Sequence, residues 1–194
     1  YQVLDDSWQK TIANDLETIQ SEGHDAVRKV DANMVVKKKS GKDVEVQDGG
    51  AGHILPFDLV QEKLLSADLA EIGTYESRLT EISSEIADIL ENLDEDDKNS
   101  TDAVSEDGDS FVATELKKAV KSIGRDPETD FDRALVNAQR LFDEEREVKK
   151  NVKNLRSALD EKTRAVIEGL SDEQADDLLA AKWVEPLQHK LEEL

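Results

Sequence analysis

The chain has 194 residues, a net charge of −21 and no cysteine. That length supports one domain or two small ones with a core, and the lack of thiols excludes disulfides, thiolate metal sites and cysteine nucleophiles. No apolar run approaches the ~18 residues of a membrane span and no signal-like stretch opens the sequence, so a cytoplasmic protein is expected.

Tyr1 stands where a start methionine would, which reads as a piece cut or processed from a longer chain. The charge is uneven. Residues 56–109 carry 3 basic and 17 acidic side chains. Such a surface repels phosphate, so the chain as a whole is a poor nucleic-acid binder.

Leu4, Trp8, Ile12, Leu16 and Ile19 recur at spacings of four and three. They predict one amphipathic helix over residues 1–22, stopped by Gly23. Residues 24–33 are polar and ambiguous. Met34, Val35 and Val36, a turn at Ser40-Gly41, and Val44 and Val46 alternating with polar residues then predict a small β-hairpin over 33–50. Lys37, Lys38, Lys39 and Lys42 cluster at its tip. They read first as solubilising edge lysines, and second as a finger touching phosphate. "GGAG" at 49–52 lacks the spacing of a phosphate loop and reads as a flexible connector.

Pro56 suits a first helical turn. From Leu65 to Leu93, apolar residues step by threes and fours. One rod of about 37 residues and roughly 55 Å is predicted, with a coiled-coil-like seam. Residues 94–109 are acidic and read as a mobile connection. A calcium loop is excluded there, because Ala103 would fall at the first ligand position.

Residues 110–124 predict a short helix capped by Asp109 or Ser110 and ended by Gly124. A second long helix follows, with Asp126 as cap, Pro127 in its first turn and a seam running from Phe131 to Val166. It is expected to fold back antiparallel on the first. Ser171 and Gln174 have capping-box spacing before a last helix, whose stripe is Leu178, Leu179, Trp183 and Leu187. The expected fold is mainly α: a long antiparallel, coiled-coil-like helical hairpin with short flanking helices and a small β-hairpin. The expected division is 1–55, a helix plus β-hairpin, and 56–194, a helical hairpin and docking tail.

No catalytic, cofactor-binding or metal-binding residue emerges from the pattern. His24, His53 and His189 are scattered without metal-ligand spacing, and carboxylates are too abundant to single out a pair. The residues alone describe a helical interaction module.

Three segments carry a resemblance. "YQVLDDSWQKTIANDLETIQSEG" (1–23), "VEVQDGGAGHILPFDLVQEKLL" (44–65) and "LDEKTRAVIEGLSDEQADDLLAAKWVEPL" (159–187) resemble the C-terminal region of modification subunits of type I restriction-modification systems. The Pro-Phe segment and the Lys-Trp-x-x-Pro-Leu tail are the specific parts. The resemblance implies a parent chain that methylates adenine N6 in DNA from S-adenosylmethionine. It also implies assembly with a specificity subunit, a second modification subunit and a restriction subunit, with DNA reached through the full complex and no membrane involved.

The family's glycine-rich cofactor loop and Asn-Pro-Pro-Phe/Tyr motif are not in these residues, so no catalytic or cofactor residue carries over. What the resemblance does suggest is a docking role for Leu179, Trp183, Pro186 and Leu187, either on the chain's own helices or on the specificity subunit. Gly50 stands where the family often has an aromatic, which suggests a looser loop. The competing reading is a free-standing coiled-coil adaptor with no enzymatic parent.

Overall fold

Leu16 and Ile19 keep their spacing in helix α1, Ala13–Glu22, with Ile12 at its N-cap. The structure, a computed structural model, describes residues 12–39 and 41–192. Leu4 and Trp8, assigned to the same apolar face, lie outside the described residues. Gly23 ends α1 as its position suggests: its φ is 85° and its N–H donates to the Ile19 carbonyl at 2.9 Å. A 3-10 segment, His24–Arg28, then leads into the hairpin.

The hairpin is longer than its alternating residues imply. Strand β1 is Val30–Lys39 and β2 is Lys42–Gly52, paired antiparallel. At its root Val30 pairs with Gly52, Asp31 with Ala51 and Ala32 with Gly50. The "GGAG" stretch is therefore a strand, not a flexible connector.

The reason is close approach. A Cβ on Gly50 would lie 2.9 Å from both Arg164 Nη2 and Val30 Cγ1, and one on Gly52 would lie 1.7 Å from the Leu55 carbonyl oxygen. Gly49 has φ +77°, a left-handed conformation that side chains disfavour.

Pro56 caps α2, Phe57–Leu64, from an extended conformation. The single rod expected from Pro56 onward is broken at Leu65, whose φ of −128° leaves the helical region. Leu65 is buried there, and α3, Ser66–Glu91, starts at the next residue.

The acidic stretch is also a correction. It holds a short helix, α4, Glu95–Asn99. A Val104–Phe111 bridge follows, reinforced by Val112 N–H donating to the Ala103 carbonyl at 2.8 Å. Ala103, Val104 and Phe111 are buried, so three apolar residues anchor a segment that its charge marks as mobile.

Helix α5 is Ala113–Ile123 and ends at Gly124, φ 78°. It starts later than expected, with no side-chain cap. Ser110 instead donates through its hydroxyl to Ser105 Oγ at 3.1 Å, within the preceding turn.

Helix α6, Asp130–Glu168, is the long one at 39 residues. Asp126 does not cap it. Thr129 and Asp132 form a reciprocal box: Asp132 N–H donates to Thr129 Oγ1 at 3.0 Å and Thr129 N–H to Asp132 Oδ2 at 3.1 Å. These bonds hold the Asp132 carboxyl below its usual range. The capping box of α7, Asp172–Glu192, forms as its spacing indicates. Ser171 N–H donates to Gln174 Oε1 at 3.0 Å and Gln174 N–H to Ser171 Oγ at 3.2 Å.

The described chain is thus mainly helical with a small antiparallel hairpin. It forms two compact units, Tyr1–Ala70 with Leu155–Leu194, and Glu71–Asn154.

The first unit packs Val27, Ile54, Leu55 and Val60 against Ile167, Leu170, Ala175, Leu178 and Leu179. Its one buried polar side chain among the described residues, Thr163, donates to the Leu159 carbonyl at 2.7 Å and accepts from Gln61 Nε2 at 3.1 Å. Both lone-pair and proton needs are met, so the hydroxyl is buried without a desolvation penalty left over.

The second unit has two apolar clusters. One joins Leu90, Leu93, Phe111 and Leu116 to Leu135 and Ala138. The other joins Ile82 to Leu141 and Val148. Arg78 of α3 reaches Glu144 of α6 at 2.7 Å, and Glu81 and Glu85 of its own helix. Those carboxylates raise its guanidinium pKa, with Glu144 the largest contributor.

Candidate functional site

The C-terminal helix is where sequence reasoning placed a docking tail. Leu178 and Leu179 of α7 are buried in the core of the first unit. Trp183, one turn on, is half-buried against the same cluster. Its indole Nε1–H donates to Asp15 Oδ2 at 2.8 Å. Lys182 donates to that same oxygen at 2.6 Å and to the Ile54 carbonyl at 2.7 Å. One carboxylate of α1 thereby receives two donors from α7, and the ammonium also ties down the loop before Pro56.

Leu179 and Trp183 are thus engaged by this chain's own core. Pro186 lies inside α7 and is exposed. Its nitrogen carries no N–H to donate to the carbonyl four residues back, which weakens the helix at that point. The Leu187 side chain lies outside what the structure describes. Val184 is 47% exposed, so the outer face of the tail keeps an apolar side chain in solvent.

A second set of contacts joins the N-terminal segment to the start of α7. Arg28 Nε donates to the Leu170 carbonyl at 2.6 Å, and its guanidinium pairs with Asp25 and Asp172. Asp172 raises the Arg28 pKa, and Arg28 in turn holds the Asp172 carboxyl below its usual range. His24 Nε2 lies 2.9 Å from Asp176 Oδ1. Sequence reading gave His24 no role. Its partner is about 150 positions away, and nothing local signals such a pairing.

His53 has a comparable setting. Its Nδ1 is 2.6 Å from Asp31 Oδ2, and its shielded Nε2 is 3.5 Å from Glu22 Oε1, which is long for a hydrogen bond. Glu22 also pairs with Lys29 at 2.6 Å. The Asp31 bond is the main cause of a raised His53 pKa, with Glu22 adding to it against partial desolvation.

A raised folded-state pKa means that this contribution is complete below the unfolded value of about 6.5 and is lost as pH rises through the folded value. We expect urea stability of the first unit to fall between pH 6 and pH 8.5 by more in the parent than in His53→Gln. Equal slopes in the two proteins would rule this out.

The lysine tip is the other predicted site. Lys37, Lys38 and Lys42 are exposed, as are Met34 and Val36 at 49% and 67%. Backbone pairing sets Val35 opposite Val46, Lys37 opposite Val44 and Lys39 opposite Lys42. Directly paired residues share a face, and alternate residues along a strand do too. Positions 35, 37, 39, 42, 44 and 46 therefore lie on one face. Lys38 lies on the other, opposite Asp43. The four lysines are not one cluster but three and one.

Clefts in the two units are modest. A 440 Å³ cleft of the second unit is lined by Glu95, Lys98, Asp102, Ser105 and Asp107. A 260 Å³ cleft of the first unit lies between Leu64, Leu178 and Ala181, with the 2.6 Å Lys63–Glu185 pair at its rim. Among the described residues no three His, Asp or Glu side chains are grouped to hold a metal ion. No helix among them is long and apolar enough to cross a membrane.

Fold and sites together define a mainly helical protein with a two-stranded antiparallel ribbon and a C-terminal helix locked onto its N-terminal segment. The chain matches no protein-family model, no curated protein and no solved structure.

Proposed function

We propose that this chain is the C-terminal helical region of a type I restriction-modification DNA adenine-N6 methyltransferase subunit, and that it serves as an assembly arm toward the DNA-specificity subunit in the cytoplasm. The parent chain would supply the S-adenosylmethionine site and the methyl transfer, and the region itself would be inactive. A second modification subunit and a restriction subunit would complete the assembly, and DNA would be contacted by the whole complex.

The sequence support is the resemblance of segments 1–23, 44–65 and 159–187. The observation that carries an arm is the reverse order of packing in the second unit. Tyr75, Leu79 and Ile82 share a cluster with Leu141, Val148 and Val152, while Leu90 and Leu93 share one with Leu135 and Ala138. That order supports the antiparallel helical hairpin of this reading, a shape that would suit lying along another helical subunit.

Calorimetric titration of this chain into the matching specificity subunit, with native mass spectrometry of the product, tests the reading. Two copies per specificity subunit are expected. A folded chain that does not bind would remove the assembly role and favour a free-standing coiled-coil adaptor.

A further inference from the structure

A cleft of about 360 Å³ in the second unit lies where the end of α3, the short α4 and the start of α6 meet. Ile89, Leu93, Phe131 and Ala134 give it an apolar floor. The same four belong to, or pack against, the cluster around Leu90 and Leu135, so a core beneath holds the floor in place. Asp88, Asp94, Asp97 and Asp130 line the cleft as well.

These acids are left without the partners that acids elsewhere in the unit have. Arg78 takes up Glu81, Glu85 and Glu144, and Lys149 takes up Glu145. Lys98, next to Asp97 in sequence, turns to Glu95 and lines the neighbouring 440 Å³ cleft. Asp130 pairs with Arg133. Among the described residues no cation pairs with Asp88, Asp94 or Asp97. Asp94 stands at the N-cap of α4 and makes no side-chain cap bond there, so its carboxylate is uncommitted.

Unpaired carboxylates around one opening favour a cation. A bare metal ion is a poor match, because an apolar floor supplies no oxygen ligands and no metal-holding group of acids forms among the described residues. The cation that fits brings its own apolar surface. A lysine or arginine does so along its methylene stem, and its charged end is attracted to an aromatic face such as that of Phe131.

We propose that this cleft docks a basic segment of a partner protein, in which one apolar side chain is flanked by lysines or arginines. The apolar side chain covers Ile89 and Phe131, and the flanking cations meet Asp88, Asp94 and Asp97. The net charge of −21 draws such a segment in from a distance. The inference does not rest on the assembly role.

The probe is a labelled Lys-Lys-Leu-Lys-Lys peptide, titrated with the whole chain at about 50 mM salt, where screening is modest, and followed by fluorescence anisotropy. Exchanging its leucine for serine keeps the charge and should weaken binding about tenfold, the worth of burying most of one leucine side chain. The triple variant Asp88→Asn, Asp94→Asn, Asp97→Asn should also weaken it about tenfold. The variant Asp102→Asn, Glu106→Gln, Glu147→Gln removes the same net charge away from the cleft and should cost less than about threefold.

Circular dichroism melts confirm that each variant folds. Equal binding of the leucine and serine peptides overturns the inference, since charge alone would then account for it. So does an equal loss in the two triple variants, or no binding of the leucine peptide. Spermine bound as tightly as the leucine peptide would also overturn it, and would make the cleft a site for small amines.

Discussion

Gly52→Ala is expected to destabilise the first unit by about 3 kcal/mol or more, the upper end for overpacking. The added Cβ would sit 1.7 Å from the Leu55 carbonyl oxygen and 2.8 Å from its carbon. Those are backbone atoms next to Pro56, and Leu55 is fully buried in the core. No side chain can swing away to make room, so the strand end or the Leu55 turn must move. For a chain of this size the loss corresponds to a fall of roughly 6–12 °C in the thermal midpoint of that unit.

Gly73→Ala makes the contrast. It lies within α3 with nothing within 4 Å of the added methyl. Replacing a helical glycine by alanine there should stabilise by up to about 1 kcal/mol. One chemical change, made at two glycines, is thus expected to act in opposite directions. Scanning calorimetry of both variants decides it. A Gly52→Ala protein that melts like the parent would show that the hairpin root is not packed as described.

Trp183→Ala is the second large effect. The indole is half-buried on the first-unit core and its N–H holds Asp15 at 2.8 Å. Truncation removes apolar contact and a charge-assisted hydrogen bond, and about 2–4 kcal/mol is expected, somewhat below the range for a fully buried Trp. Trp183→Phe keeps most of the ring contact and loses the donor, so about 1–2 kcal/mol is expected.

Lys182 remains on Asp15 at 2.6 Å, which keeps the carboxylate from being stranded. In an Asp15→Ala background the cost of Trp183→Phe should shrink towards zero, because the acceptor is already gone. Urea denaturation of the four proteins in the cycle gives the coupling directly. If Trp183→Ala melts normally but loses a partner, the tail is an interface and its contact with Asp15 carries no stability.

Much of this protein could be read locally. The Ser171–Gln174 box, the Gly23 and Gly124 stops and the start of the α7 stripe all depend on residues within about four positions of one another. They appear as their spacing indicates. The seam of α6 was legible in rhythm but not in full. Leu141, Thr163 and Ile167 are completely buried; a three-four step from Ala138 or Leu159 reaches them as readily as their neighbours Phe142 and Val166, and the rhythm does not choose between adjacent positions on a helix that buries a wide stripe.

The misreadings share a cause. Gly49–Gly52 looks like a connector by composition, since glycine is a strand breaker when nothing lies near it. Here Val30 of the paired strand and the Leu55 carbonyl of the following turn approach Gly50 and Gly52 and make small size a requirement. The acidic stretch looks mobile by charge, yet Val104 pairs with Phe111 and carries it into a core.

Of the two candidate sites, Trp183 stood out as an isolated aromatic near the end of the chain, but its acceptor, Asp15, lies 168 positions away. The lysines were visible as a run, but their split into three and one follows from strand register. Helix type, caps and stops came from neighbours in sequence, where a few hydrogen bonds settle the conformation. Which glycine must stay small, which acid meets which donor and which lysines share a face of the ribbon came from segments brought together only by folding. Close packing and charge pairing act through space, and a linear pattern does not encode that distance.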